Sequence, residues 1–482
     1  MSLPVISIAQ MREWEKATWA AGQSETEVIR RVGQAVAQHA LRITKSGDRI
    51  LILSGKGHNG DDARSAREHL AGRQAEVLEV KDPEADFPTL KAGLSLRPAL
   101  VIDGLFGIGI QRPLDASWIK FIRQINAARL PILAVDVPSG LNADTGQTEG
   151  VAVEAAVTLT VGAPKKGLLE AAAWPCVGRL EIAAEVGLAP CPHASGLWWT
   201  LPEDFTGFPP RRAVAGHKGN YGHLAIIAGS VGFHGAAVLA ARGAQRAQPG
   251  LVSVFPHAPA YAVVASQLQG VMVQSWRDDL DFSGRFTAVL IGPGLAAGDL
   301  PGEMKRMARR LWTELEIPVI ADASALDWLP SEAPPQNAIR VITPHPGEAA
   351  RLLKSNPAQV QADRQKALRE LSARFGNCRV VLKGHQTLIG AAGGDIYVNS
   401  SGNPHLAQGG AGDLLGGYMA GLLAQPALAA TASRAIRFAA WQHGAAADCL
   451  QASRPNWTVE DLATALGSCP MPKAGPGADP GA

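Results

Sequence analysis

The sequence has little net charge, few cysteines and no long apolar run, and each absence argues against a class of protein. Its 482 residues carry a net charge of only +2, so no strong field favours nucleic acid or a membrane as a partner. The five cysteines are scattered, without a CxxC pair or a matching histidine spacing, which indicates reduced, structural thiols and a cytoplasmic protein. We expect no membrane span and no signal peptide, because no apolar run is long enough and the N-terminus soon becomes charged.

The chain is longer than one ordinary hydrophobic core supports, so we expect two domains of about 200 residues or more. In both halves apolar strands alternate with helical segments, which predicts two α/β domains with largely parallel sheets. Residues 189–216 are rich in proline and glycine and lack periodicity, as is typical of a linker. The predicted boundaries are 1–208 and 209–470, followed by a disordered tail at 471–482.

The first glycine-rich loop of the chain is GKGHNGDDA, which follows a predicted strand at Ile50–Leu53. Gly55, Gly57 and Gly60 have the GxGxxG spacing, and Glu79 closes the next predicted strand. A hydride-transferring dinucleotide domain is therefore one interpretation. The spacing alone is a weak signal, and the acids that crowd this loop are unusual where a pyrophosphate must be held.

Two further predicted strands of the first half end in an acid, at Asp103 and Asp136, and each is followed by glycine. Ligands of open α/β sheets bind outside the carboxyl ends of the strands, so the three loops form one pocket if these strands are neighbours. Oxygen atoms of Asn59, Asp103 and Ser139 suit a hard cation, which leaves Asp136 as the acid or base. Each acid taken alone is equally compatible with an ordinary turn carboxylate.

The stretches GKGHNGDDARSAREHL, DGLFGIGIQRPL and DVPSGLNADTG resemble the NAD(P)H-hydrate epimerase domain. The resemblance implies a Rossmann-like three-layer domain, a K+ ion bound by Asn59, Asp103 and Ser139, and contact between Asp136 and the reacting ring. The substrate-binding residues that it implies are His58, Asn59, Gly60, Asp61, Asp62, Gly107, Ile108, Gly109, Ile110, Gln111, Arg112, Pro113 and Asp136.

This chain departs from the epimerase pattern at Asp61 and Ala63, where the family keeps glycine. A carboxylate at position 61 adds charge and a Cβ atom beside the substrate loop. If that position required a positive φ, aspartate would be tolerated at a cost. Weakened epimerisation is therefore expected.

The stretch QGGAGDLLGG in the second half places five glycines around a single acid, Asp413, just before an apolar helix. The first turn of a helix attracts anions through free N–H groups and the helix dipole. A carboxylate beside a bound phosphate is best explained as a general base that takes a proton from a nearby hydroxyl. The alternative is a glycine-rich loop with an ordinary helix cap.

The stretches HGAA, IGPGL, ITPHPGEAARLL, VLKG and GNPHLAQGGAGDLLGGYMAGLLAQ resemble the ribokinase-like fold and, within it, the ADP-dependent NAD(P)H-hydrate dehydratase. Two departures from the family pattern are Ala411 in place of threonine and the missing second glycine after IGPGL. His345 is also compatible with a cap or core histidine. The resemblance assigns the hydrated dinucleotide to Ala236, Gly294, His345 and Asp413, and the adenine nucleotide to Lys383, Gly384, His385, Gln386, Thr387 and Gly412.

Together the two resemblances cover nearly the whole chain, in the order of the fused bacterial repair enzyme. They imply that it epimerises the R and S hydrates of NADH and NADPH (NADHX and NADPHX) and dehydrates the S form with ADP. K+ would serve the first domain and Mg²⁺ the second, and a homo-oligomer is expected. The first alternative is a ribokinase-type kinase for a vitamin or sugar. The second is a nucleotide-sensing or scaffold protein whose enzyme fold has lost its catalytic activity.

Overall fold

A computed structural model describes residues 2–110 and 113–468 of the chain. Gln111, Arg112 and the predicted tail therefore lie outside the described residues. The chain divides into two compact units, Leu3–Ser195 and the residues from Gly196 onward. The division falls earlier than the predicted boundary after residue 208.

The prediction of a linker at 189–216 is wrong for residues 197–205, which include regular structure and reach the core of the second unit. Residues Leu197–Trp199 form a strand and Pro202–Phe205 a short 3₁₀ helix. Phe205 is fully buried, and its ring lies 5.4 Å from that of Phe438. The prediction gave weight to the proline and glycine content and not to the apolar side chains between them. Burial of those apolar side chains orders the segment.

The first unit contains a six-stranded sheet in the order β3-β2-β4-β5-β6-β7, in which every pair is parallel. Besides β1 (Leu3–Pro4), which lies outside this sheet, the unit contains the sheet strands β2 (Arg49–Ser54), β3 (Gln74–Glu79), β4 (Leu100–Gly104), β5 (Ile132–Val135), β6 (Val157–Val161) and β7 (Arg179–Ala183). Its helices are α1 (Ile8–Ala20), α2 (Glu25–Ile43), α3 (His58–Ala66), α4 (Phe87–Ser95), α5 (Ala116–Ala127) and α6 (Trp174–Val177).

Helices cover both faces of this sheet, which makes the unit a three-layer structure. Ile50 and Ile52 of β2 belong to the core cluster with α1, α2 and α3, whereas Leu51 and Leu53 belong to the cluster with α4 and α5. Since successive side chains of a strand point to opposite faces, one apolar run supplies both cores. The predicted Rossmann-like class is confirmed.

The second unit is built on a largely parallel sheet in which β8 to β17 follow the order β8-β17-β16-β15-β14-β13-β12-β9-β10-β11; only β16 pairs antiparallel to its neighbours. These strands are β8 (Leu197–Trp199), β9 (His223–Ile227), β10 (Leu251–Val254), β11 (Met272–Val273), β12 (Ala288–Ile291), β13 (Val319–Ala321), β14 (Arg340–Ile342), β15 (Arg379–Leu382), β16 (Leu388–Gly390) and β17 (Ile396–Val398). The helices are α7 (His234–Ala247), α8 (Tyr261–Gln267), α9 (Gly302–Glu314), α10 (Pro346–Leu352), α11 (Pro357–Ala362), α12 (Arg364–Arg374), α13 (Ala411–Leu423), α14 (Pro426–Ala429), α15 (Ala432–Ser453) and α16 (Val459–Ala465).

Helices α7 and α13 pack unusually closely because small residues line their contact. A Cβ atom on Gly417 would lie 1.9 Å from the carbonyl oxygen of Ala240, and one on Gly243 would lie 2.2 Å from that of Leu414. Glycine is therefore required on both sides of this crossing. The close contact fixes α13, which carries Asp413 in its first turn.

The prediction of reduced cysteines is wrong at Cys449, which is disulfide-bonded, whereas Cys176, Cys191 and Cys378 are free. The spacing of cysteines along a sequence does not report which of them meet in the fold. Within the described part of the chain, every helix is too short or too polar to serve as a bilayer span.

Candidate active sites

A cavity of about 900 Å³ lies at the carboxyl ends of β2, β4 and β5 in the first unit. These three strands are neighbours in the sheet, which a shared pocket requires. The chain leaves β2 toward one side of the sheet and β4 toward the other, so the cavity lies at the switch point where such folds bind ligands. Gly60 and Asp61, although predicted to bind substrate, are not among the lining residues. The predicted residues that do line it are His58, Asn59, Asp62, Gly107, Ile108, Gly109, Ile110, Pro113 and Asp136.

Asp136 is held by a fully buried lysine that the sequence analysis missed. The ammonium of Lys165 lies 2.6 Å from Oδ1 of Asp136, and the same oxygen accepts hydrogen bonds from Thr160 Oγ1 and Val161 N at 3.0 Å each. Asp136 also has a positive φ of 61°, a conformation that non-glycine residues keep only where their surroundings fix it. The lysine pair that follows a strand in VGAPKKG was the available signal.

The three oxygen-bearing residues predicted to bind a cation come together beneath the cavity. Asp103 is fully buried and accepts hydrogen bonds from Ser139 N at 2.9 Å and Ser139 Oγ at 2.6 Å. The amide nitrogen of Asn59 donates to Phe106 O at 2.9 Å, but its Oδ1 is buried without a partner. Burial raises the pKa of Asp103 to about 6, against the hydrogen bonds of Ser139. An unpaired buried oxygen beside a buried carboxylate fits a bound cation.

The two departures from the epimerase pattern are accommodated locally. Asp61 has no positive φ, because it lies within α3, and its carboxylate pairs with Arg64. The strain considered for this position is therefore absent. Ala63 is buried against Gly104, where a Cβ atom would come within 2.3 Å of the alanine methyl group. Arg64 also forms an ion pair with Glu79 at 3.2 Å. In a dinucleotide-binding domain the acid at this position would bind the ribose, but here it is paired with an arginine.

In the second unit, the glycines around Asp413 differ in the space around them. Gly410 caps α13 with a φ of 92°. A Cβ atom on Gly412 would lie 3.4 Å from the ammonium of Lys383, and one on Gly416 would lie 3.5 Å from Oδ2 of Asp322. Both distances are ordinary contacts, so the first two turns of α13 lie against a buried ion pair, and Gly410 is the glycine of these three that its backbone conformation requires.

That ion pair joins Lys383, predicted to bind nucleotide, to Asp322, which directly follows β13 and was given no role from sequence. Their charged atoms lie 2.8 Å apart, and Glu348 lies 4.0 Å from the same ammonium. Burial raises the pKa of Asp413 to about 7, helped by the charge of Asp322 and opposed by that of Lys383. Burial alone would lower the pKa of Lys383, but Asp322, Glu348 and Asp413 reverse this and raise it.

The loops after β9 and β12 meet at the switch point of the second sheet. Ser230 Oγ donates to Gly294 O at 2.7 Å, and Gly294 has a φ of 64°. A Cβ atom there would lie 2.8 Å from the methyl group of Ala236. The structure therefore brings together Ala236 and Gly294, both predicted to bind the dinucleotide.

His345 is the N-cap of α10, and its ring is largely exposed. The ring Nδ1 accepts a hydrogen bond from Gly347 N at 3.0 Å, and the backbone N–H of His345 donates to Glu348 Oε2 at 2.8 Å. The cap interpretation is therefore correct for Nδ1, and Nε2 faces Glu348 Oε1 at 3.6 Å.

The loop from Lys383 to Thr387 is anchored from below by buried Arg364. Its guanidinium donates to His385 O at 2.6 Å and to Gln386 O at 3.1 Å. Gly384 and Gln386 have positive φ, and Thr387 Oγ1 donates to Gly384 O at 3.0 Å. Five of the six residues predicted to bind nucleotide thus share one turn, and the sixth, Gly412, lies in α13.

Comparison with known proteins gives both units a family. The sequence model of the NAD(P)H-hydrate dehydratase family matches residues 224–468, and the sequence model of the YjeF-related protein N-terminus matches residues 78–167. The second unit also resembles the crystal structure of ADP/ATP-dependent NAD(P)H-hydrate dehydratase from Bacillus subtilis co-crystallized with ATP/Mg²⁺, with 28% identity and a TM-score of 0.50 over 56% of this chain and 96% of that one.

Two relatives extend over both units. The chain is 35% identical to the bifunctional NAD(P)H-hydrate repair enzyme Nnr of Coxiella burnetii, over 91% of this chain and 93% of the relative. It is 32% identical to the protein of the same name from Gloeobacter violaceus, over 97% of each. The chain therefore belongs to the family of bifunctional NAD(P)H-hydrate repair enzymes.

Proposed function

We propose that Asp413 is the general base of an ADP-dependent dehydration in the second unit, which restores NADH or NADPH from the S hydrate. Hydroxide is a poor leaving group near neutral pH, so the hydroxyl on the nicotinamide ring must be activated. Asp413 takes the hydroxyl proton while the β-phosphoryl group of ADP passes to that oxygen, which releases AMP. Phosphate then leaves as the ring nitrogen donates its electrons, and loss of a ring proton gives the reduced cofactor.

The position of Asp413 carries this proposal. It lies in the first turn of α13, where backbone N–H groups favour a phosphate, and beside the ammonium of Lys383. A pKa near 7 suits a base that must exist in both protonation states around neutral pH. Lys383 is placed to neutralise charge on the phosphoryl group in transfer.

Mg²⁺ would neutralise the nucleotide phosphates in this unit. Among the residues that the structure describes, no three His, Cys, Asp or Glu side chains form a metal cluster. The ion would therefore bind chiefly through the phosphate oxygens, as is common for Mg²⁺.

In the first unit, the cavity at Asp136 would interconvert the R and S hydrates of NADH and NADPH. The unpaired Oδ1 of Asn59, together with Asp103 and Ser139, would hold K+ beneath the substrate loop. When bound, this ion would neutralise the buried carboxylate and stiffen the loops. Residues of the Gly107–Pro113 loop would contact the substrate phosphates, and Asp136 the ring.

A small-molecule kinase of the ribokinase type would use the same glycine loop and base. It would release a stable phosphorylated product, whereas the dehydratase releases phosphate. The presence of the first-unit cavity in the same chain favours the repair enzyme. We retain as predictions a homo-oligomer and a cytoplasmic location.

The direct test is Asp413→Asn, assayed with S-NADHX, ADP and Mg²⁺. We expect turnover to be abolished while ADP still binds, as measured by calorimetry. Asp395→Asn, an exposed acid on the surface of the same unit, should change neither property and serves as the control. Retained turnover in Asp413→Asn would exclude Asp413 as the base, and a stable phosphorylated product would favour the kinase.

A further inference from the structure

Four carboxyl groups of the described residues line the cavity of the first unit. Asp115 is exposed, and among the other three only Asp136 is paired with a buried cation. Asp62 reaches the cavity from α3 and Glu15 from α1. Burial, and next the negative charge of Asp136, raise the pKa of Asp62 well above its usual range and also raise that of Glu15. Both environments therefore favour a protonated carboxyl group at these two positions.

Asp136 has the opposite surroundings. Its Oδ1 accepts three hydrogen bonds, including one from the ammonium of Lys165 at 2.6 Å. No described residue donates to its Oδ2, while the side chain lines the cavity. This leaves one oxygen of an ion-paired carboxylate available to a ligand. Neighbouring titratable groups whose surroundings favour opposite protonation states are the usual arrangement of an acid and a base.

We propose that Asp62 is the catalytic acid of the epimerisation and Asp136 its complementary base, with Glu15 as a positioning residue beside Asp62. This role rests on the epimerase function proposed above. The three side chains come from α3, the end of β5 and α1, so they surround one cavity from separate elements. A ring bound between them would meet a proton donor and a proton acceptor at different points of its edge.

The chemistry requires only water and these two groups. Asp62 gives its proton to the ring hydroxyl as the C–O bond breaks, and water leaves while the adjacent ring nitrogen forms a double bond to the same carbon. Water then adds to the opposite face of that carbon and gives a proton to Oδ2 of Asp136. The epimer is released with one proton moved from Asp62 to Asp136, and either exchange with solvent or reverse turnover restores the starting state.

The pH dependence follows from the protonated form of Asp62. Epimerisation should fall on the alkaline side as Asp62 ionises, and the charges of Asp136, Asp61 and Glu15 delay that ionisation whereas Lys165 favours it. Glu15 carries a negative charge once it ionises, so Glu15→Gln removes that charge and the alkaline fall should move to lower pH. The other charged or titratable residues lining the cavity are Arg12, Lys56, His58 and Asp115.

The test uses the full chain and the purified R epimer of NADHX without ADP, with the two epimers separated by chromatography and the spontaneous rate subtracted. We expect Asp62→Asn to lower kcat at least ~100-fold with little change in KM, and to remove the alkaline fall. Asp62→Glu, which keeps the carboxyl group, should recover part of kcat. Glu68→Gln, an exposed acid outside the cavity, should behave as wild type.

The melting transition of the first unit, measured by calorimetry on each variant, reports whether that unit is folded, and dehydration of the S epimer with ADP reports the same for the second unit. A variant with normal dehydration, a kcat for epimerisation within a few-fold of wild type and an unchanged pH profile would overturn the role of Asp62 alone. Wild-type protein that does not accelerate epimerisation would instead overturn the proposed epimerase function, and this role with it.

Discussion

The ammonium group of Lys383 lies 2.8 Å from a carboxylate oxygen of Asp322, at the carboxyl ends of two strands that flank β14. This pair lies against α13, where a Cβ atom on Gly412 would be 3.4 Å from the ammonium of Lys383 and one on Gly416 3.5 Å from Oδ2 of Asp322. Asp322 therefore acts on both partners of the proposed chemistry. It holds the lysine and raises the pKa of Asp413.

Dehydration should depend on pH through Asp413. Its pKa is raised to about 7, and a base acts in its ionised form, so kcat should rise with pH through about 7 and level off above it. Asp322→Asn removes a charge that raises this pKa, so the rise should move to lower pH. The check is a kcat–pH profile of both proteins, with Asp327→Asn, an exposed acid of the same segment, as control. A rise at the same pH in Asp322→Asn would contradict the coupling.

Lys165→Met should destabilise the first unit strongly. Lys165 is fully buried, and its removal leaves Asp136 without its cation, which typically costs about 3–5 kcal/mol. For a unit of this size the melting transition should fall by roughly 6–20 °C in calorimetry of the full chain. Lys166→Met changes the exposed neighbouring residue and should leave the transition in place. Equal transitions in the two variants would show that the buried pair does not stabilise the unit.

Potassium should stabilise the first unit through the unpaired oxygen of Asn59. A ligand present at about 100 times its Kd stabilises a native fold by roughly 2.7 kcal/mol. Replacing KCl with choline chloride at equal ionic strength should therefore lower the melting temperature of this unit. Asn59→Leu keeps the side-chain size without the oxygen and should melt at the same temperature in both salts. Equal melting temperatures of the wild-type unit in KCl and in choline chloride would argue against the cation site.

Gly417→Ala should destabilise the second unit because its Cβ atom would lie 1.9 Å from a backbone oxygen of α7. Backbone cannot yield as a flexible side chain does, so we expect a loss of about 3 kcal/mol, at the upper end of the usual range for overpacking. Gly409→Ala, in the same glycine-rich stretch but with open space around it, is the matched control. Denaturant unfolding of both variants measures the difference, and equal stabilities would contradict the close helix contact.

Much of the fold and part of each site were predictable because parallel strands place their ends at one edge. The acids Asp103, Asp136 and Asp413 could be located from strand and helix patterns alone. The predicted strand ends at β2, β4 and β5 proved to be neighbours, which the apolar runs indicated but did not order. Strand order depends on long-range packing that local patterns do not contain.

The residues that the sequence did not reveal act through tertiary contacts. Lys165 meets Asp136 across 29 positions of the chain, and Asp322 meets Lys383 across 61. Glu15 lies on an amphipathic helix with nothing nearby in sequence to mark it. Conversely, Asp61 was expected at the substrate because it lies in the loop motif, yet helix geometry turns it toward Arg64. Sequence spacing identifies a loop but not which side chains of its helix face the cavity.

The central claim is that both units act in one repair sequence. The most direct measurement is NADH absorbance over time when the purified protein receives mixed R and S NADHX with ADP, Mg²⁺ and K+, with spontaneous epimerisation subtracted. Because Asp61 and Ala63 leave the cavity intact, we predict conversion of both epimers to NADH at a rate above the spontaneous one. Recovery that stops at the S fraction would contradict the epimerase half, and no recovery with either ADP or ATP would contradict the account as a whole.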